Sequence, residues 1–202
     1  MRLSMTLLIV LVTVLVSWRA FGDRALLERL LLWPPAIERR RQYERLLTYG
    51  FVHADWMHLL FNMVTLWSFG TAVERVFAPA LGPLGFLLFY LSAIVVAILP
   101  TYLAHRRDPG YRSLGASGGV SAVLFAFILF DPWSRLIIFP IPVPIPAVLF
   151  ALAYVGYSIW MDRRGSGNVN HSAHLWGAAY GVLFTVLLEP RVLAHFARSV
   201  FG

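Results

Sequence analysis

The sequence predicts an all-α membrane protein, a bundle of six transmembrane helices with an amphipathic, partly membrane-embedded first loop. Three observations carry that prediction. Of the 202 residues, 59% are hydrophobic and 13% charged, and the mean hydropathy is +0.71, far from the make-up of a soluble domain. Six apolar runs recur along the chain, separated by turn-forming residues. Between the first and second runs, charged and apolar residues alternate at helical spacing. The expectation is one membrane domain over 1–202 with no internal repeat.

The approximate spans are 3–21, 57–74, 84–104, 115–130, 147–161 and 171–189, with an interfacial loop over 22–56. A span needs about 20 residues at about 1.5 Å each, so the run from Leu3 to Trp18 is serviceable with its flanks. A cleavable signal peptide ending near Ala20-Phe21-Gly22 competes with an uncleaved first helix, which the later spans favour. In the interfacial loop six arginines and five acids alternate with apolar residues. There Trp33 suits the headgroup level and Pro34-Pro35 ends any helix that precedes it. The remaining separators are Pro79 with Gly82-Pro83, Asp108-Pro109-Gly110, Asp131-Pro132, the prolines at 140, 142, 144 and 146, and Gly165-Ser166-Gly167-Asn168.

Composition also excludes chemistry. With no cysteine there is no disulfide, thiolate nucleophile or thiolate metal site. All 17 basic residues are arginine, which removes a Ser-Lys dyad and a Schiff-base lysine. The formal charge of +7 is scattered between apolar runs rather than gathered in a basic stripe, so nucleic-acid binding is not expected. No His-Glu-x-x-His zinc helix and no aspartate pair within apolar spans is present. Neither a metal nor an organic cofactor is expected.

Ser117 and His174 stand inside apolar runs, where polar side chains are costly and turn towards a protein interior or a wet cavity. Around Ser117, the residues Gly115, Gly118, Gly119, Ser121, Ala122 and Ala126 give a nearly side-chain-free surface. The sixth span answers with Ala173, Gly177 and Gly181 at spacing four, the pattern that lets helices approach closely. Packed together, these faces bring Ser117 and His174 within reach, so that His174 takes the serine proton and the alkoxide attacks a carbonyl. At a helix N-terminus, Ser117 has unpaired N–H groups beside it that suit an oxyanion. His58 and Asn62, four apart and therefore on one helix face, are further donors, although each alone reads equally well as interhelical hydrogen-bonding glue. No carboxylate stands near His174 in its helix, which points to a dyad rather than a triad.

These residues resemble the rhomboid family of intramembrane serine proteases over nearly the whole stretch from Arg45 to Gly181. Three blocks carry the resemblance: His58-Leu59-Leu60-Phe61-Asn62, Gly115-Ala116-Ser117-Gly118, and Ala173-His174-Leu175-Trp176-Gly177 with Gly181. His53, five residues before His58, and Gly70 to Glu74 add smaller matches. The resemblance implies Ser117 as nucleophile, His174 as base, His58 and Asn62 as oxyanion donors with Gly115 and Gly118 beside the reacting carbonyl, Gly177 and Gly181 as packing residues, and a mobile cap at Gly165 to Asn168. Two positions depart from the family pattern. Ser121 stands where many bacterial members have a tyrosine against the catalytic histidine, leaving Tyr180 and Trp176 as the aromatic neighbours of His174 in sequence. Glu44-Arg45 stands where the family has Trp-Arg.

The function expected on this basis is cleavage of single-pass membrane proteins in or near their transmembrane segments, within a lipid bilayer and without nucleic acid. A catalytically inactive relative that binds transmembrane helices is the alternative, and such relatives typically lack the serine or the histidine. A small transporter would spread its polar residues through the bilayer's depth, whereas here they cluster near one end of the spans. The membrane expected is a bacterial inner membrane, with the active site on the extracytoplasmic side. The arginines argue the other way: with a cytoplasmic N-terminus, the first, third and fifth connections hold twelve, Arg19 at the end of the first span included, and the remaining connections and tails five. Six of those twelve lie in the interfacial loop, with Arg19 at its edge.

Overall fold

The computed structural model describes residues 4–138, 141–165 and 169–202. It is predominantly helical. The first apolar run forms α1 (Met5–Phe21), capped by Ser4, whose Oγ accepts the Leu7 N–H. The expected interfacial loop contains three short α-helices, α2 (Arg24–Leu30), α3 (Pro34–Arg40) and α4 (Arg45–Thr48), and a 3-10 turn over Tyr49–Phe51. Pro34 and Pro35 start α3 rather than merely ending its predecessor, because the first turn of a helix has no use for their missing N–H groups. Then follow α5 (Trp56–Leu81), α6 (Gly85–His105), α7 (Ser117–Phe130), α8 (Ala147–Arg164), α9 (His171–Leu188) and α10 (Arg191–Phe201).

Several bounds differ from those read in the sequence. α5 runs seven residues beyond 74, through Pro79. A proline this close to a helix end interrupts only the final turn. The proline-rich approach to α8 is a hairpin of β1 (Arg135–Ile138) and β2 (Ile141–Pro146), with Arg135 opposite Pro146 and Leu136 opposite Ile145. Pro142, Pro144 and Pro146 alternate, so the N–H groups they lack all fall on one edge of the strand. After Pro190 the chain turns by 114° into the amphipathic α10. It docks through buried Val192, and the Trp133 indole donates to Ser199 O at 2.6 Å.

Among the described residues, α6 is the one single helix long and apolar enough to cross a membrane by itself, with a mean hydropathy of 2.2. α1 and α7 are apolar but shorter. At 14 residues, α7 is about 21 Å long, less than the roughly 30 Å of a hydrocarbon core. The bundle's largest buried side chains include Tyr49, Phe77, Phe86, Phe89 and Tyr90, packed where α5, α6, α7 and α9 meet. α7 and α9 form the most intimate helix pair, while α8 buries only Ala147 and Ser158.

Two charged side chains organise the periphery. Buried Arg45 donates through Nη1 to Glu28 O (2.8 Å) and Leu31 O (2.7 Å), and through Nε to Gln42 Oε1 (2.7 Å). It thereby satisfies carbonyls at the C-terminal end of α2 that the helix leaves unpaired. Burial lowers its pKa from the ordinary guanidinium value. Glu44 precedes Arg45 here in place of the tryptophan of the resembled pattern, and this capping role needs no tryptophan.

Glu74 plays the complementary part for α1. Its carboxylate accepts from Met5 N (2.7 Å), Thr6 N (3.0 Å), Thr6 Oγ1 (2.7 Å) and Ser4 Oγ (2.9 Å), at the positive end of that helix. Gly70, one turn earlier, lets α1 come this near, since a Cβ there would lie 2.9 Å from Thr6 Cγ2. Glu74→Ala strands this group of donors and is expected to lower stability by about 2 to 4 kcal/mol. Unfolding in mixed micelles measures it, and a variant as stable as wild type would contradict the capping role.

Candidate active site

Ser117 is the first residue of α7, and three backbone ties fix the chain before it. Leu32 and Ser113 exchange backbone hydrogen bonds (2.9 and 3.2 Å), Gly115 N–H donates to Tyr49 O (2.9 Å), and Ala116 N–H donates to His53 Nε2 (3.3 Å). Gly115 adopts φ +117°, where side chains are strained, and a Cβ there would lie 2.6 Å from the His58 ring. The glycine is thus needed twice, for the turn and for the imidazole beside it. α7 has no side-chain cap at its N-terminus. Its first N–H groups are the unpaired donors of a helix start.

His174 enters from α9, which begins at an asparagine hub. Asn170 Oδ1 accepts the Ala173 N–H (3.0 Å) and Thr101 Oγ1–H (3.1 Å), while its Nδ2 donates to Tyr111 Oη (3.2 Å) and Ser113 Oγ (3.4 Å). One side chain therefore links α6, α9 and the approach to Ser117. Sequence reasoning did not single it out. Its signal was an asparagine three residues before Ala173, the N-cap position.

Gly177 and Gly181 set the spacing of the two helices. A Cβ on Gly177 would stand 2.0 Å from Gly118 O, and one on Gly181 would stand 2.1 Å from Ala122 O. The backbones of α7 and α9 are in direct contact. Gly118, expected beside a reacting carbonyl, is also a packing residue, because a Cβ there would lie 2.7 Å from Ala97 Cβ.

Ser117, His174, His58, Asn62, Gly115 and Gly118 all line one open cavity of about 1030 Å³. No hydrogen bond joins Ser117 to His174 among the described residues; in apo sites such bonds are often long and tighten when substrate binds. His58, Ser117 and His174 are the third, first and fourth residues of their helices. The cavity therefore sits within about 5 Å of three helix starts, at one end of the bundle.

The donors have defined states. Ala54 N–H donates to His58 Nδ1 (3.4 Å), which leaves the ring proton on Nε2, the edge that faces Gly115. Asn62 Nδ2 donates to His58 O at 2.8 Å, one turn back in its own helix. That leaves its second amide hydrogen for a ligand.

Neither aromatic neighbour in sequence covers His174. Tyr180 points the other way, hydrogen-bonded to Ser92 Oγ (2.6 Å) and stacked on Phe89, and Trp176 is 51% exposed. The ring stacked on His174 is Tyr154 of α8, with centroids 5.9 Å apart and planes at 21°, while His171 of α9 meets the imidazole edge-on at 5.7 Å. Its hydroxyl lies 2.6 Å from Ser121 Oγ.

His53 acts behind the site. Fully buried, it donates from Nδ1 to Ser17 Oγ (2.9 Å), whose own proton goes to Phe51 O (2.9 Å), and its Nε2 accepts the Ala116 N–H. Burial, aided by nearby His58, pushes its pKa down to about 3. The unfolded chain, with histidine near 6.5, therefore takes up the proton first. His53 contributes fully to stability above about pH 6.5, and the contribution is lost as pH falls towards 3, at up to about 1.4 kcal/mol per unit. Melting curves from pH 7.5 to 4 are expected to fall less steeply for His53→Gln than for wild type; equal slopes would contradict this.

Comparison with known proteins gives the family of the chain. The Rhomboid domain model covers residues 40–191. The chain is 33% identical over 181 residues to RHOMBOID-like protein 12, mitochondrial, of Arabidopsis thaliana, covering 84% of this chain and 53% of that protein. It is 34% identical over 139 residues to Rhomboid protein 1, mitochondrial, of Saccharomyces cerevisiae (67% and 39%), and 30% identical over 155 residues to the rhomboid-family protein YdcA of Bacillus subtilis (72% and 67%). The chain thus spans about half the length of the Arabidopsis relative and less of the yeast one. The family model runs from the end of α3 through the serine, both histidine blocks and the glycine seam, and on that extent the chain belongs to the rhomboid family.

Proposed function

We propose that this chain is an intramembrane serine endopeptidase that cuts transmembrane segments of single-pass membrane proteins. The observation that carries the reading is the shared cavity of Ser117 and His174, with the His58 Nε2–H edge and the uncapped start of α7 around it. His174 removes the Ser117 proton as Oγ adds to the peptide carbonyl. The oxyanion is held by N–H groups at the helix start and by His58 and Asn62. The C–N bond then breaks and His174 returns the proton to the amine; a water deprotonated by His174 attacks the acyl ester and frees the serine. No cofactor enters any step.

In this reading α1, α5, α6, α7, α8 and α9 cross the bilayer, while α2 to α4 and α10 lie at its surfaces. The outward-facing Leu11, Leu15, Leu60, Val64, Leu88, Leu152 and Leu187, all exposed, fit a lipid-facing girdle. Short α7 starts below the membrane surface, which puts Ser117 under the water level of the cavity. A helical substrate bond is hydrogen-bonded and shielded, so the substrate unwinds locally before attack. By family analogy, a small residue precedes the cut and the site faces the extracytoplasmic side. Relatives named as mitochondrial match alongside one from Bacillus subtilis, so family membership speaks for a membrane and not for a particular one.

The test is reconstitution with a single-pass substrate whose transmembrane segment unwinds easily. Mass spectrometry of the products is expected to map the cut within or beside that segment. Cuts confined to flexible extramembrane stretches would contradict the proposal.

A further inference from the structure

The support of His174 comes from an unexpected helix. On α8, Ala147 and Ser158 are the buried residues, and Ala151 and Tyr154 lie between them on the same face. Tyr154 is the member of that line that reaches the site. Its ring is near-parallel to the His174 ring, and its hydroxyl meets Ser121, buried one turn after Ser117 on α7. Phe150 and Phe125 flank the tyrosine at 5.6 and 5.7 Å. The phenol is therefore held at both ends, by ring packing and by a hydroxyl tether.

We infer that Tyr154 is a positioning residue for His174, anchored by Ser121, so that the base on α9 is aligned by a ring from α8. The inference rests on the reading of Ser117 and His174 as nucleophile and base. A flat face against the imidazole restricts its rotation, and the short hydroxyl contact fixes where that face lies. Loss of the ring leaves His174 only the edge-on contact of His171 from its own helix, at 5.7 Å, with no flat face against the imidazole. Loss of either hydroxyl strands the other in a buried place, so Ser121 and Tyr154 act as one unit.

Tyr154 also lines a second cavity, of about 250 Å³, between α5, α7 and α8, together with Ser117 and Asn62. An effect on cleavage of a transmembrane substrate could thus come from docking in that cleft. A small fluorophosphonate needs only Ser117 and its base, and it separates the two roles. Tyr154→Leu is expected to lower both kcat and the labelling rate by about 10- to 100-fold, the scale of a misplaced catalytic group, with KM within about threefold. Tyr154→Phe keeps the ring and retains most of the rate. Ser121→Ala matches it, and the double variant falls no further than either single one, as expected of one coupled unit.

Labelling of Tyr154→Leu at the wild-type rate would overturn the inference, and so would Tyr154→Phe falling as far as Tyr154→Leu. A readout independent of catalysis accompanies it. In histidine-labelled protein, Tyr154→Leu is expected to move the His174 ring resonances while those of His105 and His195 stay in place; unmoved His174 resonances would also overturn it. Wild type that resists the probe while the His174 signals still move would refute the serine mechanism and leave the positioning role standing.

Discussion

Ser117→Ala protein, purified and reconstituted, leaves a labile transmembrane substrate intact, with a cleavage rate at least about 10⁴-fold below wild type. The hydroxyl is the one nucleophile at the uncapped start of α7, and the chain has no cysteine or lysine to replace it. His174→Ala falls by the same order, because serine without a base is a weak nucleophile at neutral pH. The double variant falls no further, since the two residues act as a unit. His58→Ala and Asn62→Ala each lose less, about 10²-fold, the usual cost of one oxyanion donor among several. All four variants are expected to melt close to wild type, because their side chains face the cavity. Product formation on a calibrated gel, with melting curves beside it, measures the set; cleavage that survives Ser117→Ala would remove the mechanism.

The second large effect is structural. Gly181→Ala places a methyl group 2.1 Å from Ala122 O, and Gly177→Ala places one 2.0 Å from Gly118 O. Each obstacle is backbone, which cannot swing aside as a side chain does, so α7 and α9 must part. Overpacking of this kind costs typically 1 to 3 kcal/mol, and about 3 is expected here because the two most closely packed helices are involved. Activity falls with stability, since Ser117 and His174 ride on the separating helices. Gly156→Ala is the control: a Cβ there meets nothing within 4 Å, and the better helix former is expected to be neutral or slightly stabilising. Unfolding of the three variants in mixed micelles measures the difference, and tolerance of Gly181→Ala would contradict the direct backbone contact.

Much of the site was legible because its constraints are local. His58 and Asn62 declare a shared face by their spacing, and the small residues around Ser117 and from Ala173 to Gly181 declare a close crossing. Gly115 was visible as a motif residue, although its need for φ +117° beside His58 required the fold. The support of His174 was not legible in this way. Tyr154 precedes it by 20 residues and sits on another helix, so no periodicity connects them. The one hint was Ser121, a small polar residue where a ring was expected, which implied that the ring came from elsewhere. The alternating prolines before α8 read as turn chemistry, yet a strand accepts them when the missing N–H groups all lie on one edge. Asn170 and Glu74 act as caps for helix starts, α9 and α1, and only Asn170 is adjacent in sequence to the helix it caps.

The residue that a fluorophosphonate modifies decides whether Ser117 is the nucleophile. Wild-type protein is incubated with the probe, digested, and the adduct located by mass spectrometry. A single modification on Ser117 is expected, absent from Ser117→Ala and strongly reduced in His174→Ala. An adduct that persists in Ser117→Ala, or a wild-type protein that takes up no probe under conditions where it is folded, would contradict it.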